Sequence, residues 1–213
     1  FDSVKDICPN ARVYQASSSE MFGSSVDNDN FQRETTPMSP VSPYGCSKLY
    51  AYSIARNFRK AYGLFISNGI LFNHESPRRG TNFVTAKVIK GALDIKKGFA
   101  DKLEMGNLDS YRDWGHSFDY TKAMIKLLNH KNPEDIVIST GKAYSVRELC
   151  EVVFKELGLN YEDHIVINKR FLRPQELPYL RGDSSKGRKM LNWEPEFTFR
   201  TLLLDMIKHF EKE

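Results

Sequence analysis

A phenol and an ammonium four residues apart, in Ser42-Pro43-Tyr44-Gly45-Cys46-Ser47-Lys48, are the groups of this chain best suited to moving a proton. Residues at i and i+4 share a helical face. The stretch also carries a helix start: Ser42 suits the N-cap, and Pro43 suits the first helical position, where its missing N–H costs nothing. Free tyrosine titrates near ~10 and a neighbouring ammonium favours the phenolate, so Tyr44 beside Lys48 is a usable proton shuttle at an alcohol. With ten tyrosines and many lysines the chain would hold such a pair by chance, so its weight depends on what accompanies it. Upstream, Ser17-Ser18-Ser19-Glu20 brings a hydroxyl and a carboxylate that could take up and return a proton, although a serine cluster is more often a plain turn. Downstream, Asn73-His74-Glu75-Ser76-Pro77-Arg78-Arg79-Gly80 sets two adjacent arginines after an apolar run, where guanidinium forks suit phosphate oxygens.

The elements that must position these groups follow from pattern and punctuation. Residues 12–17 predict a short strand, which would put Ser18 and Glu20 beyond its carboxyl end, where open α/β sheets bind ligands. Residues 24–43 are polar, punctuated by Pro37, Pro40 and Pro43, and predict a long loop of the kind that is commonly functional. From Tyr44 an apolar stripe through Lys48, Ala51, Ala55, Phe58 and Tyr62 predicts a helix ended by Gly63, with the Tyr–Lys pair on the face that packs against a sheet. Leu64-Phe65-Ile66 and Gly69-Ile70-Leu71-Phe72, interrupted only by Ser67 and Asn68, predict a strand buried on both faces. Helices are predicted over about 81–97, 118–130, 184–191 and 198–212, with another from Ser145 to Leu157 capped by Ser145 and Glu148. Strands are predicted near Leu103–Met105, with a Gly106-Asn107 turn after it, and at Asp135–Ser139.

Strand followed by helix, repeated, predicts an α/β fold with a doubly wound parallel sheet. Such a sheet normally starts with a glycine-rich phosphate-binding turn, and no G-x-G-x-x-G or G-x-x-G-x-x-G occurs here, so the chain reads as the C-terminal part of a larger protein. Its 213 residues, 40% hydrophobic and 27% charged, are of ordinary globular composition. The net charge of +4 would suit an anionic small ligand, with no basic run to argue for nucleic acid. No signal segment or apolar run of membrane-spanning length is read, and Cys8, Cys46 and Cys150 have no metal-like spacing and suit a reducing cytoplasm.

Four stretches together resemble the GDP-mannose 4,6-dehydratases, of the extended short-chain dehydrogenase/reductase family: Ala16–Gly23, Ser42–Tyr52, Asn68–Gly80 and Gly106–His116 with its Arg112-Asp113-Trp114-Gly115-His116 ending. The likeness runs over essentially the whole chain and would align with the C-terminal three-fifths or so of a family member. It implies the C-terminal part of a Rossmann-type domain, residues 1–75 with returning segments near 107–140, and a smaller, mainly helical α/β substrate-binding region over 76–213.

The resemblance further implies dehydration of GDP-mannose through bound NADP, with Ser18, Glu20, Tyr44 and Lys48 catalytic. Tyr44, Lys48, His74 and Arg79 would contact NADP, while Asn73, Lys87, Arg112, Arg173 and Glu176 would line the GDP-sugar side, and no metal is called for. Read without the resemblance, Arg112 and Asp113 could equally be a surface ion pair. The family likeness implies a cytoplasmic homodimer or homotetramer. Ser18 stands where family members often have threonine, which keeps the hydroxyl. The loop between Glu20 and Tyr44 is slightly longer than usual and the segment between Leu157 and Arg173 shorter. Another nucleotide-sugar epimerase or reductase, or a catalytically incompetent half of a split protein, remain the alternatives, and Glu20 is the residue that separates a dehydratase from the rest of the superfamily.

Overall fold

The structure, a computed structural model, describes residues 1–172 and 175–212. Strand β1 (Val13–Ser18) follows a short helix α1 (Asp2–Ile7), and the long helix α2 (Pro43–Tyr62) leads back to β2 (Ile66–Leu71) and the short β3 (Asn73–Glu75). Next come α3 (Val84–Lys96), β4 (Leu103–Met105), β5 (Tyr111–Arg112), β6 (Trp114–His116), α4 (Ser117–Leu128) and β7 (Asp135–Ile138). The remainder is β8 (Tyr144–Ser145), α5 (Val146–Glu156), β9 (Ile165–Ile167), β10 (Tyr179–Leu180), α6 (Ser185–Leu191) and α7 (Phe199–Phe210).

The central sheet is parallel, in the order β1-β2-β7. All six residues of β2 are buried, including Ser67 and Asn68, because helices cover both faces. Ile70, Phe72 and Val137 pack with Tyr52 of α2 on one face. Leu71, Ile136 and Ile138 pack with Tyr120 and Leu127 of α4 on the other. A second core, from α3, α5 and α7 with Trp114, lies apart from the sheet. Fold class and these elements agree with the sequence reading, and Ser145 and Glu148 form the expected capping box.

Register places the chemistry at one end of the sheet. Ser18 lies opposite Leu71, and Leu71 opposite Ile138. Glu20, Asn73 and Thr140 therefore all leave the sheet at its carboxyl end. Helix α2 is fastened to this sheet at both ends. Lys48 Nζ donates to the Ala16 carbonyl at 3.0 Å, and Arg59 makes a bidentate pair with Asp135 at 2.9 and 2.7 Å. Residues 24–42 fold back over the open edge of β7, where the Glu34 carboxylate accepts from the Val137 N–H at 2.7 Å. A loop carboxylate thus occupies a backbone donor that an adjoining strand would otherwise use.

Two expectations are corrected. Of the expected stripe of α2, Ala55 is buried with Phe58 packed beside it, whereas Tyr44 and Tyr62 are exposed and Gly45 and Tyr52 are buried instead, so the Tyr44–Lys48 pair straddles the margin of the packed face. Residues 111–116, for which no strand is predicted, form two: β5 pairs with β8 and β10, and β6 pairs with β3. Pairings this short leave no period in a sequence.

Candidate active site

Ser42 caps α2 as expected, its hydroxyl oxygen accepting from the Gly45 N–H at 3.0 Å. Tyr44 in the first turn is 52% exposed, and the Lys48 ammonium lies 5.6 Å from its ring centroid. Beyond β1 the chain turns through a 3-10 helix, Ser19–Phe22, capped by Ser18, whose hydroxyl accepts from the Glu20 N–H at 3.2 Å. Since that bond uses only a lone pair, the Ser18 proton stays available to donate. The Glu20 carboxylate accepts from the Ser42 hydroxyl at 2.8 Å. Ser18, Glu20, Tyr44 and Lys48 are thereby gathered at the junction of the end of β1 with the start of α2. Gly45 permits the close approach: a Cβ there would stand 2.8 Å from the Glu20 carbonyl oxygen and 2.9 Å from Pro40 Cβ.

The neighbouring strand end brings the next group. His74 Nδ1 lies 2.9 Å from the Phe72 carbonyl, which makes it the protonated nitrogen and leaves Nε2 as an acceptor. Arg79 stacks over Phe83, its guanidinium 3.4 Å from the ring centroid, with Nε 3.0 Å from the buried Glu75 carboxylate. Misalignment keeps that contact an ion pair rather than a hydrogen bond, so Nε is a buried donor left over. The Arg79 side chain is 25% exposed, and a guanidinium at this strand end suits a phosphate-bearing dinucleotide. Asn73 is half-buried, opposite Trp114 in the β3–β6 pairing.

The remaining expected residues lie further out. Arg112 donates to the Leu177 carbonyl at 2.7 Å and its Nη2 is 3.7 Å from Glu176 Oε1, so these two candidates face each other. Glu176 lines a cleft of about 400 Å³ with Asn107, Asp109, Arg147 and Leu172. Lys87 donates to the Glu104 carbonyl at 2.7 Å and sits 3.7 Å over the Phe171 ring. Burial, and then Arg170, lower its affinity for a proton below that of an ordinary lysine. Arg173 lies outside the described residues. Arg147, bonded to Asp109 at 2.8 Å, is a cleft residue that sequence reasoning misses: it is the second residue of α5, and no local pattern ties it to a segment 38 positions away.

Asp113 is not half of a surface ion pair with Arg112 but fully buried. It accepts from Thr140 N and Oγ1, Gly141 N and Gly182 N, and so ties together three chain segments beside the sheet end. Burial pushes its carboxyl from 3.8 up to about 6, against those donors. The proton is thus held more tightly in the folded state than in the unfolded one. This group's contribution to stability is fully present below pH 3.8 and is lost as pH rises through about 6. Asp113→Asn would set an amide N–H₂ against backbone donors and is expected to destabilise the protein by about 1–3 kcal/mol. Urea midpoints measured across that pH window should show the deficit narrowing as pH rises.

A sequence model of the GDP-mannose 4,6 dehydratase family matches residues 2–206. This chain belongs to that family. GDP-mannose 4,6 dehydratase 1 of Arabidopsis thaliana is 47% identical over 92% of this chain and 54% of its own length. The Homo sapiens GDP-mannose 4,6 dehydratase is 43% identical over 97% of this chain and 60% of its own. The chain thus spans a little over half the length of these curated relatives. Among solved structures, dTDP-glucose 4,6-dehydratase of Bacillus anthracis in complex with NAD superposes with a TM-score of 0.88 at 26% identity, over 100% of this chain and 65% of that one. RMD from Pseudomonas aeruginosa complexed with NADPH gives 0.89 at 23% identity over 100% of this chain and 70% of that one, a likeness of fold. Among the described residues, no helix is long and apolar enough to cross a membrane.

Proposed function

We propose that the complete protein carrying this chain removes water from GDP-mannose to give GDP-4-dehydro-6-deoxy-mannose. The observation that carries this reading is the attachment of the Glu20 carboxylate to the cap of the helix bearing Tyr44 and Lys48. An alcohol oxidation needs the phenol and the ammonium, whereas loss of water from the neighbouring carbons needs a second acid–base group, and a carboxylate at the same strand end supplies it.

Bound NADP would supply the hydride chemistry, as acceptor at the fourth carbon of the sugar and donor at the sixth. Tyr44 accepts the proton of the hydroxyl on the fourth carbon, with the Lys48 ammonium stabilising the charge that develops on the phenol oxygen. Ser18 donates a hydrogen bond to the same sugar oxygen. The resulting ketone acidifies the fifth carbon. Glu20 removes that proton and delivers it to the hydroxyl leaving the sixth carbon, which departs as water. The proton held by Tyr44 then returns to the fifth carbon, so one water is lost and no net oxidation occurs.

His74 and Arg79, with Tyr44 and Lys48, contact the cofactor in this reading. Asn73, Lys87, Arg112, Arg173 and Glu176 contact the GDP-sugar, the cations meeting the diphosphate and Glu176 accepting from hydroxyls. Residues 1–75 with segments near 107–140 form the cofactor side, and 76–213 mainly the substrate side. The α3–α5–α7 core, separate from the sheet's, supports that division in part, whereas Leu177, Leu180, Leu191 and Trp193 of the later segment pack into the sheet's core. The protein is proposed to act in the cytoplasm as a homodimer or homotetramer. Turnover of GDP-mannose, dTDP-glucose and UDP-glucose by the complete protein tests the reading. Water loss from GDP-mannose, with the other two turned over poorly, is expected; an epimer formed without loss of water would contradict it.

A further inference from the structure

We propose that Ser42 is a positioning residue for the dehydration step, fixing the Glu20 carboxylate relative to the Tyr44 phenol from the cap of the helix that carries the phenol. The inference rests on the role of Glu20 proposed above.

The Ser42 hydroxyl has one proton and two lone pairs. Its proton goes to Glu20 Oε2 at 2.8 Å, and a lone pair takes the Gly45 N–H at 3.0 Å. Capping needs only the lone pair, so the proton is available for a second task. Among the described residues, Ser42 is the one group hydrogen-bonded to the Glu20 carboxylate, which leaves Oε1 to meet a substrate. The Glu20 backbone is held against the same helical turn, where the hydrogen of Gly45 replaces a Cβ that would press on the Glu20 carbonyl. Backbone and side chain of Glu20 are thus both referred to the first turn of α2. A glutamate side chain is rotamer-rich, and an acid–base group must be held within about 0.5 Å of its productive place to be effective. Placing the carboxylate from the phenol's own helix means that any movement of that helix carries both groups together.

The test compares variants that all cap the helix and differ in what they offer Glu20. Aspartate and asparagine are nearly isosteric and both cap well. In the complete protein, Ser42→Asn and Ser42→Thr keep a donor and are expected to make product at close to the wild-type rate. Ser42→Asp sets carboxylate against carboxylate, and is expected to lower product formation about 10²-fold, within the range that acid–base help supplies. Melting temperature and the single-turnover reduction of bound cofactor by GDP-mannose should change little in all three. Should Ser42→Asp fail to fold, Ser42→Gly decides, because glycine caps tolerably but has no donor; its product formation should fall while cofactor reduction persists. Equal product formation by the Asp or Gly variant and the Thr variant would overturn the proposal. So would an equal fall in cofactor reduction and product formation. Glu20→Gln run alongside separates the two levels. If it blocks water loss while Ser42→Asp does not, only the role of Ser42 fails; if it leaves water loss intact, the role of Glu20 fails first.

Discussion

Glu20→Gln in the complete protein is expected to reduce its bound cofactor on mixing with GDP-mannose, yet to form the deoxy product about 10²–10⁴-fold more slowly. Glutamine keeps the size of the side chain, and its carbonyl oxygen can still accept from the Ser42 hydroxyl that now meets the carboxylate. Folding and the first oxidation should therefore survive. What is lost is the ability to take a proton from the fifth carbon and give it to the leaving hydroxyl, and a reaction arrested between those steps leaves the cofactor reduced. Stopped-flow absorbance follows the cofactor, and chromatography of the sugar nucleotides follows the product. Wild-type product formation would show that another group does this work.

Tyr44→Phe is the complementary case, with an expected loss of similar size placed one step earlier. The ring is 52% exposed, so removing its oxygen leaves no cavity and no stranded partner, and stability should change by less than about 0.5 kcal/mol. The Lys48 contact to the Ala16 carbonyl does not involve the phenol oxygen and should remain. Without a group to take the hydroxyl proton, neither reduced cofactor nor product should form at an appreciable rate. Arrest before reduction in this variant, and after it in Glu20→Gln, would divide the chemistry between the two residues as proposed.

The parts of this site readable from sequence are those set by local rules. Ser42 and Pro43 announce a helix start, Tyr44 and Lys48 are then one turn apart by helical geometry, and a strand ending at Ser18 places Glu20 beyond it. The hydrogen bond from Ser42 to Glu20 spans 22 positions, and it exists because residues 24–42 return along the sheet edge. That path is set by contacts such as Glu34 with Val137, which no periodicity encodes. Asp113 is illegible for a related reason. Beside Arg112 in sequence it suggests an ion pair, yet alternation along the chain from β5 into β6 sends the two side chains apart, Arg112 to Leu177 and Glu176 and Asp113 inward to Thr140. The exposed position of Tyr44 follows from a packing face centred on Gly45, Tyr52 and Ala55, and the missing side chain of Gly45 makes the start of that face hard to see by hydrophobicity.

The central claim is that a site equipped to oxidise an alcohol is made to lose water by Glu20, with the hydrogen from the fourth carbon kept inside the active site. GDP-mannose carrying deuterium on its fourth carbon, turned over by the complete protein in ordinary water, measures this directly. The deuterium is expected on the sixth carbon of the 4-dehydro-6-deoxy product. Deuterium retained on the fourth carbon of an epimerised sugar, or lost to solvent during product formation, would contradict it.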